Sequence, residues 1–240
     1  MTPASEPHPP TPPAAARRRI LWSARITVAG GILVLAGIAL AMALHAGWFG
    51  GTPDARKFSL LFDYLSMLGR TCNYDGNSNL AASLVFNAAL VGTGILYAFF
   101  WPGRSHFIPG ARIRRTVVIC GWLMAAGLAS LGLAPENLFP RLHPLLTGPP
   151  VVFGTVATLL CLRASDPRFD GRRATRLTVA VFGLAVAVAA VLRLLVALGQ
   201  LHHRPCLPIM QKVLIFLIVA WTFRQAWLMQ RTVRRPVTAP

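Results

Sequence analysis

Apolar positions along the chain collect in six long runs, at about 26–48, 80–101, 116–133, 142–162, 177–199 and 207–229, separated by shorter polar segments. Each run is close to the ~20 residues a helix needs to cross a hydrocarbon core of ~30 Å. Their length argues for spanning helices rather than buried strands. The pattern predicts an all-α, polytopic integral membrane protein: six transmembrane helices within 20–231, a Pro-rich disordered tail over 1–19 and a short tail over 232–240. The first run exceeds the 7–15-residue core of a cleaved leader, so it is read as a retained span. Pro144, Pro149 and Pro150 fall in the fourth run, whose first half is expected to be kinked or irregular.

Composition agrees with this reading. Hydrophobic residues make up 55% of the chain and charged residues 13%, against roughly 25% charged in soluble domains. The formal net charge of +17 would suit a nucleic-acid binder, but the placement of the basic residues argues otherwise. Sixteen arginines fall in the tails and alternate loops of one side, in the groups 17–25, 104–115, 163–176 and 231–235, against five basic residues on the other side. This asymmetry sets topology. It predicts a cell (plasma or inner) membrane protein with both termini cytoplasmic, whose arginines meet anionic headgroups and no nucleic acid.

On that topology the polar residues hardest to explain by packing gather at the outer face. The stretch FSLLFDYLSMLGRT, residues 58–71, places Ser59, Asp63, Ser66 and Arg70 within roughly 60° of one another if it is helical. A short interfacial helix is therefore predicted in the first outer loop, its polar stripe roofing a pocket; the wet side of an amphipathic surface helix is the plainer alternative. Asn79 opens the second run and Asn87 lies inside it, while Arg193 and Lys212 lie inside the fifth and sixth. Ionisable residues within spans point to function and to a partner. The partners available are Asp63, Glu136 and His143, which are also the candidates for proton handling. Snorkelling of Lys212 and Arg224 to an interface, and Asn87 acting only as interhelical glue, remain open.

Recognisable catalytic motifs are absent: no G-x-S-x-G, H-E-x-x-H, Walker loop or dinucleotide fingerprint occurs. His143, His202, His203, Asp63 and Glu136 are spread over three loops, and neither a metal site nor a cofactor is expected. Cys72 and Cys206 both fall in outer loops and are the candidates for a disulfide, whereas Cys120 and Cys161 lie within spans.

Two blocks carry a resemblance. FDYLSMLGRTCNYDGNSNLAASLVFNAALVGTGIL is similar to the signature of the membrane family called domain of unknown function 998. The shared features are a Ser-x-x-Gly motif, an Asn opening the next span and a Phe-Asn pair within it, here Ser66, Gly69, Arg70, Asn79, Phe86 and Asn87. GLASLGLAPENLFPRLHPLLTG resembles that family's second block through Pro135, Glu136 and His143. The resemblance spans most of 55–160 and implies six membrane spans, in outline similar to the FRAG/DRAM/Sfk group linked to lipid handling. In the family the serine is commonly followed by Asp; here Met67 follows Ser66, so no role for that aspartate carries over.

Three functional expectations follow. The first is a protein that binds or modifies a lipid headgroup in an outward-facing pocket, with Ser66, Arg70, Asn79, Asn87, Arg193 and Lys212 binding and Asp63, Glu136 or His143 moving protons. The second is a non-catalytic accessory or structural membrane protein. A small-solute transporter is third, because the inner halves of the spans read mostly as Val, Ala, Leu and Gly.

Overall fold

The computed structural model describes residues 13–45, 58–74, 76–165, 169, 172–199 and 206–234. The apolar runs form helices: α1 (Ala14–Leu44), α2 (Leu80–Ala98), α3 (Phe100–Ser105), α4 (Ala111–Leu133), α5 (Leu142–Ala164), α6 (Arg172–Ala197) and α7 (Cys206–Arg234). A 3-10 segment, Leu65–Gly69, precedes α2. Among the described residues there is no β-strand, only an isolated antiparallel bridge between Cys72 and Ser78. Among the described residues five helices are long and apolar enough to cross a membrane, α2 and α3 counting as one over Leu80–Ser105. The apolar part of α6, Ala180–Val196, is shorter.

Several boundaries differ from the expectation. Residues 1–12 lie outside the described residues, and α1 begins at Ala14, so Arg17, Arg18 and Arg19 belong to the helix rather than to a tail. At the other end α7 continues to Arg234. The fourth run is helical throughout despite Pro149 and Pro150. The rings are accommodated by α4, where a Cβ on Gly127 would come within 2.7 Å of Pro150 Cδ.

Pro102 explains the interruption at Phe99 between α2 and α3. Its missing N–H cannot satisfy the carbonyl of Ala98 four residues earlier, and in a membrane that carbonyl needs another donor. Trp122 Nε1 on α4 donates to Ala98 O at 3.1 Å, and Ser23 Oγ on α1 donates to Phe99 O at 2.6 Å. The break is thus sealed by the two neighbouring helices.

Two buried clusters divide the bundle along its axis. At the arginine-rich end, Phe100, Trp101 and Trp221 meet edge to face or tilted, with centroids 4.9–6.2 Å apart, against Ile20, Val117, Cys161 and Met229. Gly121 makes this possible: a Cβ there would stand 2.0 Å from the Trp101 ring. At the opposite end, called here the cap end, Val34, Ile38 and Ala41 of α1, Phe86 of α2 and Val219 of α7 close on Leu65 and Leu68 of the 3-10 segment. Between lipid-exposed helices such packing gains little from water exclusion, and close van der Waals fit carries it.

Candidate functional site

The first loop is not the helix that its polar stripe suggested. Residues 60–62 form a turn, and the helical part is the five-residue 3-10 segment. Local hydrogen bonds explain the change. Asp63 N–H bonds to Ser59 O at 3.0 Å while the Asp63 carboxylate accepts the Ser59 N–H at 2.8 Å. A Ser or Asp side chain that satisfies nearby backbone competes with the helix. Asp63 is therefore 4% exposed and Ser66 half-buried, whereas Leu60, Leu61 and Phe62 are exposed. No roofing helix forms over 58–71: the loop itself is drawn down onto the bundle.

What draws it down is a set of side chains that bond its unsatisfied backbone. Asn79, 1% exposed, stands at the start of α2, where its side chain caps no helix N–H. Its amide turns outward instead and donates to Arg70 O at 2.9 Å, with a longer contact to Leu68 O. Ser83 Oγ and Asn87 Nδ2, one turn apart on α2, both donate to Gly69 O, at 2.8 and 2.9 Å. Gly69 has to be glycine for this approach, since a Cβ there would fall 2.7 Å from Asn87 Oδ1 and 3.1 Å from the Phe86 ring. From α7, Gln211 Oε1 accepts the Leu65 N–H at 2.8 Å. Lys212, 6% exposed, donates its ammonium to the carbonyls of Asp63 and Pro208 and lies 5.7 Å from the Phe58 ring centroid. Lys212 thus does not snorkel to open water; it closes the seam.

The α4–α5 turn completes the cap. Asn137 bonds Thr71 twice, accepting its N–H at 3.0 Å and donating to its hydroxyl at 2.7 Å. Arg70 Nη1 meets Glu136 Oε1 at 3.5 Å, with side-chain exposures of 11% and 30%, and the guanidinium lies 4.1 Å over the Tyr74 ring. A carboxylate within reach of Arg70 was expected, and Glu136 supplies it. His143 turns away, its Nδ1 paired with Ala134 O at 2.7 Å at the end of α4. No described hydrogen bond or ion pair joins Asp63, Glu136 and His143 to one another, so the three proton-handling candidates do not form a constellation. Asn87 donates to Gly69 O and to Ser83 Oγ.

The bridge between Cys72 and Cys206 is absent: both are free thiols, and Cys72 Sγ accepts a hydrogen bond from Asn137 at 3.4 Å. Among the described residues no group of three metal-ligating side chains occurs. The side chain of Arg193 and residues His202 and His203 lie outside the described residues. His45, which follows α1 at this end, has its imidazole held below its ordinary pKa of 6.5 by burial, an effect that the nearby Asp63 opposes.

One buried group escaped the sequence reading altogether. Arg104, counted above with the topology-setting arginines, is 0% exposed. Its Nε donates to Gln225 Oε1 on α7 at 2.7 Å, its Nη2 to Ser165 Oγ beyond α5, and its guanidinium lies 4.5 Å over Phe169. The clue was its position three residues past Trp101 in a run that stays helical through Pro102. Gln225, Thr222 and Tyr97 add further buried polar contacts at that end, with Tyr97 Oη and Thr222 Oγ1 3.1 Å apart.

No family model, curated protein or solved structure matches the chain.

Proposed function

We propose that the protein is a six-span membrane protein whose cap faces outward and binds a lipid headgroup at the Arg70–Glu136 pair. The observation that carries this reading is the contrast in how the cap's charges are spent. Asp63 and Lys212 are turned into backbone contacts, whereas Arg70 and Glu136 keep partial access to solvent beside the exposed face of Tyr74. Opposite charges side by side fit a zwitterionic headgroup: the guanidinium takes the phosphate in a charge-assisted pair and the carboxylate takes the ammonium. The arginine-rich ends of the helices then face the cytoplasm, as the asymmetry of basic residues favours. The resemblance to the domain of unknown function 998 family belongs to the same proposal, since its Gly69, Asn79 and Asn87 are the residues of the cap seam.

A second reading has its own support. Asn79, Ser83, Asn87, Gln211 and Lys212 are all consumed in fixing the loop, which is what a non-catalytic accessory protein with an ordered outer surface needs. Lipids that co-purify in mild detergent, identified by mass spectrometry for wild type, Arg70→Gln and Glu136→Gln, separate the two. Headgroup binding predicts that a zwitterionic lipid retained by wild type is lost in both variants; an identical lipid profile in all three leaves the accessory reading standing.

A further inference from the structure

The arginine-rich end of α1 presents a surface that the cap reading does not use. Arg18, Trp22 and Arg25 stand at offsets of four and seven residues and so share one helix face. All three are exposed, Trp22 at 54%. With Ala14, Arg17 and Leu21 they border a cavity of about 330 Å³. Arg17 is committed to the bundle, its Nη2 donating to Val233 O at the end of α7 at 2.9 Å. Among the described residues no carboxylate pairs with Arg18 or Arg25.

Depth along the membrane comes from the tryptophans. An exposed indole near the end of a spanning helix belongs at headgroup level. Neighbouring α7 repeats the arrangement, where Trp227 is also 54% exposed and Arg231 lies 5.1 Å over its ring. Arg18 and Arg25 are separated by roughly 10 Å along the axis, a span that two extended guanidinium arms can close from above and below Trp22. Such a pair suits one phosphate, which arginine binds through paired N–H donors. A zwitterionic lipid offers the same phosphate with an ammonium attached, and two guanidinium groups that pair with no carboxylate among the described residues disfavour that ammonium. A net-negative headgroup meets no such opposition.

We infer that Arg18, Trp22 and Arg25 form a binding site for the phosphate of an anionic phospholipid, seated against α1 at the arginine-rich end of the bundle. The site is independent of Arg70 and Glu136 at the other end.

Native mass spectrometry of the full chain in detergent, titrated with phosphatidylglycerol or with phosphatidylcholine, tests it. The variants are Arg18→Gln/Arg25→Gln and, as a control for charge alone, Arg112→Gln/Arg115→Gln at the exposed start of α4. The expected result is retention of phosphatidylglycerol weakened roughly tenfold or more in the first variant, little change in the control, and weak phosphatidylcholine binding throughout. Arg18→Lys/Arg25→Lys should keep part of the affinity, since the charge remains while the paired donors are lost. Equal losses in both glutamine variants would reduce the effect to diffuse charge and overturn the site. So would a wild type that holds the two lipids equally, or a first variant that binds as wild type does.

Discussion

The cap end and the arginine-rich end bury polar groups in different proportions. At the cap the chain leaves helical geometry over 58–71, and its free N–H and C=O groups are met by side chains from α2 and α7 and from the α4–α5 turn. At the arginine-rich end the backbone leaves helical geometry only briefly, as at Phe99, where Ser23 and Trp122 meet the freed carbonyls, and the larger buried polar side chains meet one another, as in Arg104 with Gln225 and Ser165 or Tyr97 with Thr222. Irregular backbone at membrane depth demands donors and acceptors from elsewhere. The cap is therefore polar because its backbone is irregular, and most of its polar residues are explained before any ligand is invoked. Arg70 with Glu136, a charge pair left partly open to solvent, is the pair on which the proposed headgroup binding rests.

The largest effect is expected at Arg104. Arg104→Ala removes the donor from Gln225 and Ser165 and opens space beside Phe169, so global stability should fall by roughly 3 kcal/mol, read as an earlier unfolding midpoint in detergent. A loss within experimental error would mean that the buried guanidinium is not integral to that end.

Next comes the cap seam. Asn79→Ala strips a buried donor from the Arg70 carbonyl, and Gly69→Val forces a side chain into Asn87 and Phe86; each should cost about 1–3 kcal/mol. The loss should be local. Hydrogen exchange should rise across 58–79 while the amides of α4 and α5 keep their protection, and an equal rise in both regions would erase the distinction between the ends.

Arg70→Gln should change stability by no more than about 1 kcal/mol, because the ion pair is partly open to solvent. Its effect should instead appear in lipid retention, measured beside the unfolding midpoint on the same preparation.

The smallest effect is on pH dependence. Burial lowers the pKa of His45 at the cap, against Asp63. At the other end partial desolvation lowers that of His106, which stays exposed, with Arg114 and Arg19 adding to a shift that is therefore the weaker of the two. A lowered pKa means that the unfolded chain binds the proton first. The contribution of the two histidines to stability is then complete well above 6.5, the ordinary value for both, and is lost as pH drops through 6.5 toward the folded pKa. His45→Gln and His106→Gln should each flatten that slope, which a pH series of thermal midpoints would detect.

The helical class was legible because spanning runs are long and weakly charged, a signal that survives without tertiary knowledge. The cap was legible only as a list. Asp63, Arg70, Asn79, Asn87, Glu136 and Lys212 do converge on one end, but helical periodicity suggested a stripe where Ser59 and Asp63 instead close a turn on their own backbone. Periodicity records which residues share a face if a helix forms; it does not record that Gly69 can touch α2 only when the segment is short and tight. Gln211 and Asn137 went unread because their value lies in the backbone groups they reach, which no residue pattern displays. Arg104 was misread for a related reason: an arginine after an apolar run scores as a topology signal until the helix is seen to continue past Pro102 and bury it.

The claim that the Arg70–Glu136 pair is the ligand site is tested most directly by exchanging its charges. Phosphatidylethanolamine would be titrated by native mass spectrometry into wild type, Arg70→Gln, Glu136→Gln and the double exchange Arg70→Glu/Glu136→Arg, with hydrogen exchange over 58–79 confirming an intact cap. Both single variants should lose binding, and the double exchange, which restores one cation beside one anion, should recover part of it. Binding equal to wild type in Arg70→Gln and Glu136→Gln, with the cap still protected, would contradict that claim.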